Sequence, residues 1–415
     1  MRILNLILCA VVLASCARES NPSLLPASVT NGASVRSGST GFTHLFSFDG
    51  MDGAHPEAGL IDVNGTLFGT TAWGGNSACN DDSGEVGCGT VFAITTSGKE
   101  RVLYKFKGYP TDGEHPHASL IDVNDTFYGT TACYGDAAGD LGTVFDVTAS
   151  GTESVLYNFN GTDGACPEAG LIDVNGKLYG TTESGTKVED GAVFVITTSG
   201  KERVLHSFIK NRDGEAPEAG LTDVDGILYG TTLLGGKGDS GTVFEITTSG
   251  KERVLYSFGR YGVDPSGGLI DVDGTLYGTT YDSNGHDRGI VFKITTSGVL
   301  TKLYGFKGGT DGAGPVGDLT AVNGALYGVT SAGGGSNKCQ ILYGYPGCGT
   351  IFKITGSGVE TILYRFTAGT DGAYPNGGLL EMNGKLFGTT GWGGSGTCAG
   401  NSGDSGCGTV FSVAL

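Results

Sequence analysis

Thr43-His44-Leu45-Phe46-Ser47-Phe48 is a strand-like segment that stands apart from any complete repeat unit. It matches the close of a four-part pattern that fills the rest of the chain: AGLIDVNG, then TLYGTT, then GTVFEITTSG, then KERVLYSF, each with variations. The LYGTT-like part occurs seven times, at Leu67–Thr71, Phe127–Thr131, Leu178–Thr182, Leu228–Thr232, Leu276–Thr280, Leu326–Thr330 and Leu386–Thr390. The GTVF-like part also occurs seven times, but the chain stops four residues after the last of its phenylalanines, Phe411, and no KERVLYSF follows. The missing piece lies at the other end, as residues 43–48. A repeat of about 50 residues made of four short strands, with one unit assembled from both ends of the chain, is what a closed ring requires. The expected fold is all-β: a seven-bladed β-propeller of four-stranded blades, closed by the 43–48 strand completing the last blade.

Strands rather than helices follow from the period-2 alternation. In Arg101-Val102-Leu103-Tyr104-Lys105-Phe106, Val102, Tyr104 and Phe106 share one face. The first two strands of a unit, a and b, are joined by pairs such as Asn64-Gly65, Asp225-Gly226 and Asn383-Gly384, which accept the positive φ of a two-residue hairpin turn. Asn124-Asp125 in the second unit is a weaker turn pair. With 77 glycines in 415 residues the chain is turn-rich, yet every unit keeps enough Val, Ile, Leu, Tyr and Phe to bury a core. That core is expected between neighbouring blades, so one folded domain, residues 43–415, accounts for the repeats.

Arg2 and the short apolar run from Ile3 to Leu13 end in Leu13-Ala14-Ser15-Cys16, which resembles a bacterial lipobox. By that resemblance residues 1–16 are a lipoprotein signal peptide and Cys16 carries the acyl chains, with a plain secretory signal as the alternative. Residues 17–42, rich in Ser, Asn, Ala and Gly, read as a flexible tether. The expected location is extracytoplasmic, anchored by lipid to a bacterial membrane, the outer one first, or secreted. Eight further cysteines fit an oxidising compartment. Cys79 and Cys88, Cys339 and Cys348, and Cys398 and Cys407 are each nine positions apart between strands b and c, and read as three local disulfides. Cys133 and Cys166 lie in loops that leave a meander at the same end, which allows a fourth bridge. A zinc site is the competing reading, although the close C-x-x-C spacing is missing.

The GLI, LYGTT, GTVF and VLYSF segments together resemble the tandem repeats of bacterial choice-of-anchor proteins that contain GloVer repeats, from Gly41 to Leu415. The resemblance implies a secreted or surface-attached repeat protein, with a lipobox as this member's anchor, and carries over no catalytic residues.

Seven near-copies separate scaffold from function, because a feature present in every unit is explained by the needs of the blade. The Asp-Gly pairs in the loops leading into strand a, from Asp52-Gly53 to Asp371-Gly372, fall in that class as turn formers. Calcium at these loops is the sharper alternative. The b–c loops are long and Cys-paired only in the sixth, seventh and first units, neighbours once the ring closes. Trp73 and Trp392, the two tryptophans of the chain, occupy the same position just after strand b in the first and seventh units. With Tyr343, Tyr345, Asp81, Asp82 and Asp404 they form the expected ligand-binding sector, rigid aromatics beside carboxylates suited to a sugar ring or a protein partner. His55, His115 and His117 stand in adjacent lead-in loops, where a metal site competes with solvated histidines.

No cofactor, catalytic group or metal ligand is assigned. The GDSG strings at Gly238–Gly241 and Gly403–Gly406 lack a histidine partner context, and the G-x-G-x-x-G at Gly391–Gly396 precedes no helix. A net charge of −18 disfavours nucleic acid, and membrane contact is expected only through the anchor. The expectation is therefore a monomeric, surface-tethered binding module for carbohydrate or a protein partner. An enzyme acting on polysaccharide or a small sugar derivative is the alternative, signalled by two carboxylates that break the seven-fold pattern and face one pocket. A structural surface protein is the third reading.

Overall fold

The computed structural model describes residues 41–415 apart from 76–78, 80–85, 134–138, 188–189, 260–261, 284, 286, 340–344 and 399–404. The signal, the lipobox with Cys16 and nearly all of the tether lie outside the described residues. The described chain forms seven four-stranded antiparallel sheets, each a simple meander, and so is the expected all-β, seven-bladed propeller. Blade 1 runs Ile61–Val63 (strand a), Thr66–Thr71 (b), Thr90–Thr95 (c) and Glu100–Lys105 (d). Blade 7 takes a, b and c from Leu380–Met382, Lys385–Thr390 and Thr409–Ala414, and its d strand from Thr43–Ser47 at the other end of the chain. Thr43 faces Ser412 and Ser47 faces Thr409, with a bulge between His44 and Phe46. The a strands, short in every blade but the sixth, where the strand runs Gly312–Val322, touch in sequence around the ring and surround a central channel, the seventh meeting the first.

The LYGTT string can be read physically residue by residue. Its leucine is buried; Leu67 is fully covered. Its glycine pairs across the sheet with the phenylalanine of GTVF, Gly69 with Phe92, and a Cβ there would come within 2.7 Å of the Phe92 ring and 2.9 Å of Leu60. The same clash recurs in all seven blades, so glycine is needed for the ring to lie over the backbone. The first threonine reaches the next blade: Thr70 donates to the Ala118 carbonyl, Thr130 to Ala169, and Thr389 to Ala58 across the closure, the last at 2.9 Å. The second stays home, Thr71 Oγ1 lying 2.8 Å from Thr90 Oγ1.

Blades adhere through phenylalanine pairs. The last aromatic of strand d meets the strand-c phenylalanine of the following blade edge to face, Phe48 with Phe92 at 5.1 Å and Phe106 with Phe145 at 5.0 Å, and on around to Phe366 with Phe411 at 5.3 Å. Each seam has one such pair, which places the core between blades, as the repeat pattern predicts. The turn pairs also behave as expected. Asn64 and Gly65 both have positive φ, 55° and 83°, and even Asn124-Asp125 adopts the conformation, at 56° and 61°.

All eight cysteines of the propeller are paired: Cys79–Cys88, Cys133–Cys166, Cys339–Cys348 and Cys398–Cys407. The sulfurs are thereby withdrawn from zinc, and four disulfides mark an extracytoplasmic protein. Cys133–Cys166 joins blade 2 to blade 3. A Cys133→Ser/Cys166→Ser double variant is expected to lose about 2–4 kcal/mol of unfolding free energy in urea titrations. An unchanged midpoint would mean that this bond does not restrain the ring.

Candidate functional site

The loop leading into strand a carries the site. In six blades it ends in a residue, a proline, a variable residue, two mostly small ones and a leucine before strand a, and in blade 6 the same positions, from Gly314 to Leu319, lie within the long strand Gly312–Val322. The residue before the proline is left-handed in all seven: His55, His115, Cys166, Ala216, Asp264, Gly314 and Tyr374, with φ between 52° and 59°. Such a turn ahead of a proline is backbone that local sterics disfavour. It is held by paired amides, His55 N–H donating to the Cys407 carbonyl and His115 N–H to Cys88, each from the preceding blade. The turn aims the residue after the proline at the channel. Those residues ring a cavity of about 350 Å³. The cavity sits on the face from which the b–c loops spring, because both loop types leave the same end of the strands.

Here the seven-fold pattern breaks. Blades 1 to 4 present Glu57, His117, Glu168 and Glu218, while blades 5 to 7 present Ser266, Val316 and Asn376. Asp318 adds a fifth ionisable group, standing where blades 1, 3, 4, 5 and 7 have glycine, and its Oδ1 accepts from the Gly268 amide at 2.7 Å. His117 Nδ1 lies 2.8 Å from Glu57 Oε2, with the side chains only 16% and 27% accessible, so channel water reaches a pair that protein encircles.

The environments drive these groups apart. Burial pushes the Glu57 carboxyl up, but the hydrogen bond and charge of His117 outweigh it and bring Glu57 below the usual carboxylate range. Burial works against a charged His117 ring, yet Glu57 and Glu168 overcome it and raise its pKa. Glu218 has no such partner. Burial, then the charges of Glu168, Glu183 and Asp264, push it to about 8. Burial likewise raises Glu168, with His117 opposing, and raises Asp318 against the pull of the Gly268 amide. At neutral pH one cavity therefore holds an ionised acceptor, Glu57, an imidazole partner that it holds toward the protonated form, and a protonated donor, Glu218. Carboxyl groups set apart in this way are what acid–base or donor–acceptor recognition needs.

The expected aromatic sector looks different. Trp73 is 8% exposed and forms a backbone bridge with Ala54, and its indole lies 3.9 Å from the His115 ring of the next blade. Trp392 bridges Ala373 and lies 4.1 Å from the His55 ring, again across a seam. Tyr345 is buried against Ala313, Ala332 and Tyr281, with the Arg288 guanidinium 5.0 Å from its ring. Of these three expected ligand-binding aromatics, Trp73 and Tyr345 are thus buried and Trp392 is half-buried. Their positions explain it: Cys133 occupies in blade 2 the place of Trp73, and Cys166 in blade 3 the place of His115, so indole on imidazole fills the seam that a disulfide closes next door. Asp81, Asp82, Asp404 and Tyr343 lie outside the described residues. The three histidines go to three places: His55 and His115 are buried at seams, their Nδ1 atoms 2.8 and 3.0 Å from the Gly391 and Ala72 carbonyls, and only His117 reaches the channel.

The Asp-Gly carboxylates serve the scaffold. Asp112, Asp163, Asp311 and Asp371 each accept from a strand-d tyrosine hydroxyl and from loop amides.

No curated protein sequence matches the chain. Among solved structures it is similar to a putative 6-phosphogluconolactonase from Bacteroides uniformis, at 13% identity over 74% of this chain and 83% of that one, with a TM-score of 0.44. A gluconolactonase from Xanthomonas campestris shares 12% identity over 70% of this chain and 90% of its own, at a TM-score of 0.39. A puromycin-hydrolyzing peptidase from Mycobacterium tuberculosis shares 10% over 83% and 61%, at 0.44. These are distant likenesses of fold alone. Residues 29–226 match the family model of the Gloeobacter/Verrucomicrobia repeat. The later blades carry the same strand pattern to the C-terminus, so the match and the seven-bladed ring together fit a β-propeller repeat family.

Proposed function

We propose that this propeller is an extracytoplasmic binding module, tethered through a lipid on Cys16, whose ligand is a small neutral polyhydroxylated molecule held in the mouth of the central channel. The observation that carries the reading is the break in symmetry at a single structural position: Glu57, His117, Glu168 and Glu218 on four consecutive blades against Ser266, Val316 and Asn376. Blade packing gives no reason for that difference, since the residues on either side of the position repeat. A cavity of about 350 Å³ is at the small end of ligand sites and admits a sugar-sized molecule. Ionised Glu57 accepts hydroxyl protons, protonated Glu218 donates to ring or carbonyl oxygens, and Ser266 and Asn376 offer further polar contacts. A negatively charged ligand would meet Glu57 and Asp318 and is disfavoured.

The same pocket supports a second reading, an enzyme acting on a small sugar derivative. Glu218 would act as the proton donor, and Glu57, oriented by His117, as the base. Screening the mature chain on arrays of glycans and small sugar derivatives, followed by calorimetry and a search for product, tests both. Glu57→Gln and Glu218→Ala are each expected to weaken the best ligand by about 10–100-fold, since each removes a charged or buried hydrogen-bonding group. Wild-type affinity in both variants would sink the channel as the site. Product formation by the wild type would replace the binding reading with the catalytic one.

A further inference from the structure

The outer part of each seam carries a second recurring set. The fifth residue of strand d stands beside the lead-in aspartate and the residue that opens strand d of the next blade, which is glutamate in blades 1, 2, 3, 4 and 6. In blades 1, 2, 4, 5 and 6 that fifth residue is tyrosine, and in blades 1, 2, 5 and 6 its hydroxyl donates to the aspartate, as Tyr157 does to Asp163 at 2.5 Å and Tyr304 to Asp311 at 3.0 Å. In blade 3 it is His206. Its Nε2, a carboxylate oxygen of Asp213 and one of Glu252 lie within 4.8 Å of one another. Nε2 is 3.3 Å from Asp213 Oδ2 but out of line for a hydrogen bond, and both Nε2 and Glu252 Oε1 are buried without a hydrogen-bond partner. The glutamate oxygen is bare in four other blades too, at Glu100, Glu153, Glu202 and Glu360. The imidazole nitrogen is what sets this seam apart.

We propose that His206, Asp213 and Glu252 form a site for a divalent transition metal, zinc or an ion of similar preference. Imidazole nitrogen and carboxylate oxygen are both zinc donors, and three of them leave a fourth position for water. Metal–ligand bonds of about 2.0–2.2 Å are reached by small side-chain rotations from the present spacing. The Ile209 amide, donating to Asp213 Oδ1 at 2.6 Å, fixes the carboxylate from behind as an outer-shell partner does. Arg212 Nε sits 3.2 Å from Asp213 Oδ2, so that oxygen already attracts a cation, and the arginine side chain is 66% exposed and free to swing aside. The other described three-ligand group, Cys79, Cys88 and Glu114, has both sulfurs in a disulfide.

The test uses the mature chain, stripped with a chelator and dialysed, then titrated with zinc chloride by calorimetry and with cobalt(II) by visible absorption. The wild type is expected to bind about one ion at this site and to gain thermal midpoint as zinc is added. His206→Tyr restores the residue of the neighbouring blades and so keeps the fold, checked by circular dichroism. It is expected to lose about 100-fold or more in zinc affinity, together with the cobalt spectrum. Glu252→Gln is expected to weaken binding while leaving the apo midpoint nearly unchanged. A wild type that takes up no metal, or a His206→Tyr chain that binds as well as the wild type, overturns the proposal.

Discussion

Deleting residues 41–48 is expected to abolish the cooperative unfolding transition of the whole propeller, although the segment is a small part of the chain. It supplies the outermost strand of blade 7, and without it Thr409–Ala414 becomes an unpaired edge. Phe48 is fully buried and is half of the Phe48–Phe92 seam between blades 7 and 1. Truncating that ring alone, as Phe48→Ala, costs about 3–5 kcal/mol. Phe42 goes too, and with it a stacked contact 3.8 Å from Tyr364 that fills the seam between blades 6 and 7. Domains hold only about 5–15 kcal/mol in reserve, so the combined loss reaches that scale. Calorimetry and size-exclusion chromatography of the deleted chain should show no sharp transition and growing aggregates. Moving residues 41–48 behind Leu415, with a short Ser-Gly turn like those joining c to d elsewhere, should restore the transition, since the strand returns to the same edge. A deletion that melts like the wild type, or a relocated strand that rescues nothing, would show that the ring does not depend on this closure.

The closure was readable from sequence because repeats make absence visible: six complete KERVLYSF-like strands and a seventh at the wrong end can be counted without coordinates. The turns were readable because Asn-Gly and Asp-Gly have one strong local preference. The packing of Trp73 and Trp392 across the seams was not legible, for a different reason. A large aromatic just after a strand can face water or the next blade, and alternation stops telling the two apart once the strand has ended. The clue was the alignment of Cys133 with Trp73 and of Cys166 with His115, since a disulfide requires its two Cα atoms about 5–6 Å apart and so marks that position as a seam. The channel groups were also within reach of the repeats. Lining up the residue after each lead-in proline gives Glu, His, Glu, Glu, Ser, Val and Asn, the sharpest break in an otherwise regular loop. What the sequence could not supply is that this position points inward, which follows from the left-handed residue before the proline and from the a strands that bring seven such loops around one axis.

Glu218→Gln is expected to stabilise the protein at alkaline pH and leave it nearly unchanged in acid. In the folded chain Glu218 holds its proton up to about 8, against an ordinary value of 4.5 when unfolded. Between those values the unfolded chain has released the proton and the native chain has not, so stability falls as pH rises through this window and stays reduced above it. Glutamine has the same shape and no proton to lose, so it removes the slope. Each pH unit between the two values is worth about 1.4 kcal/mol at most, and channel water screens part of it, so a gain of roughly 2 kcal/mol at pH 9 is expected, against almost none at pH 5. Urea unfolding at both pH values measures it. The same variant separates the two functional readings, because the glutamine amide still donates a hydrogen bond. If Glu218 only binds, affinity persists at neutral pH and now survives into alkali, where the wild type ionises and loses its donor. If Glu218 delivers a proton, ligand still binds but turnover stops. Equal stability of the variant and the wild type at both pH values would mean that Glu218 is an ordinary solvated carboxylate, and the channel would lose the donor on which both readings rest.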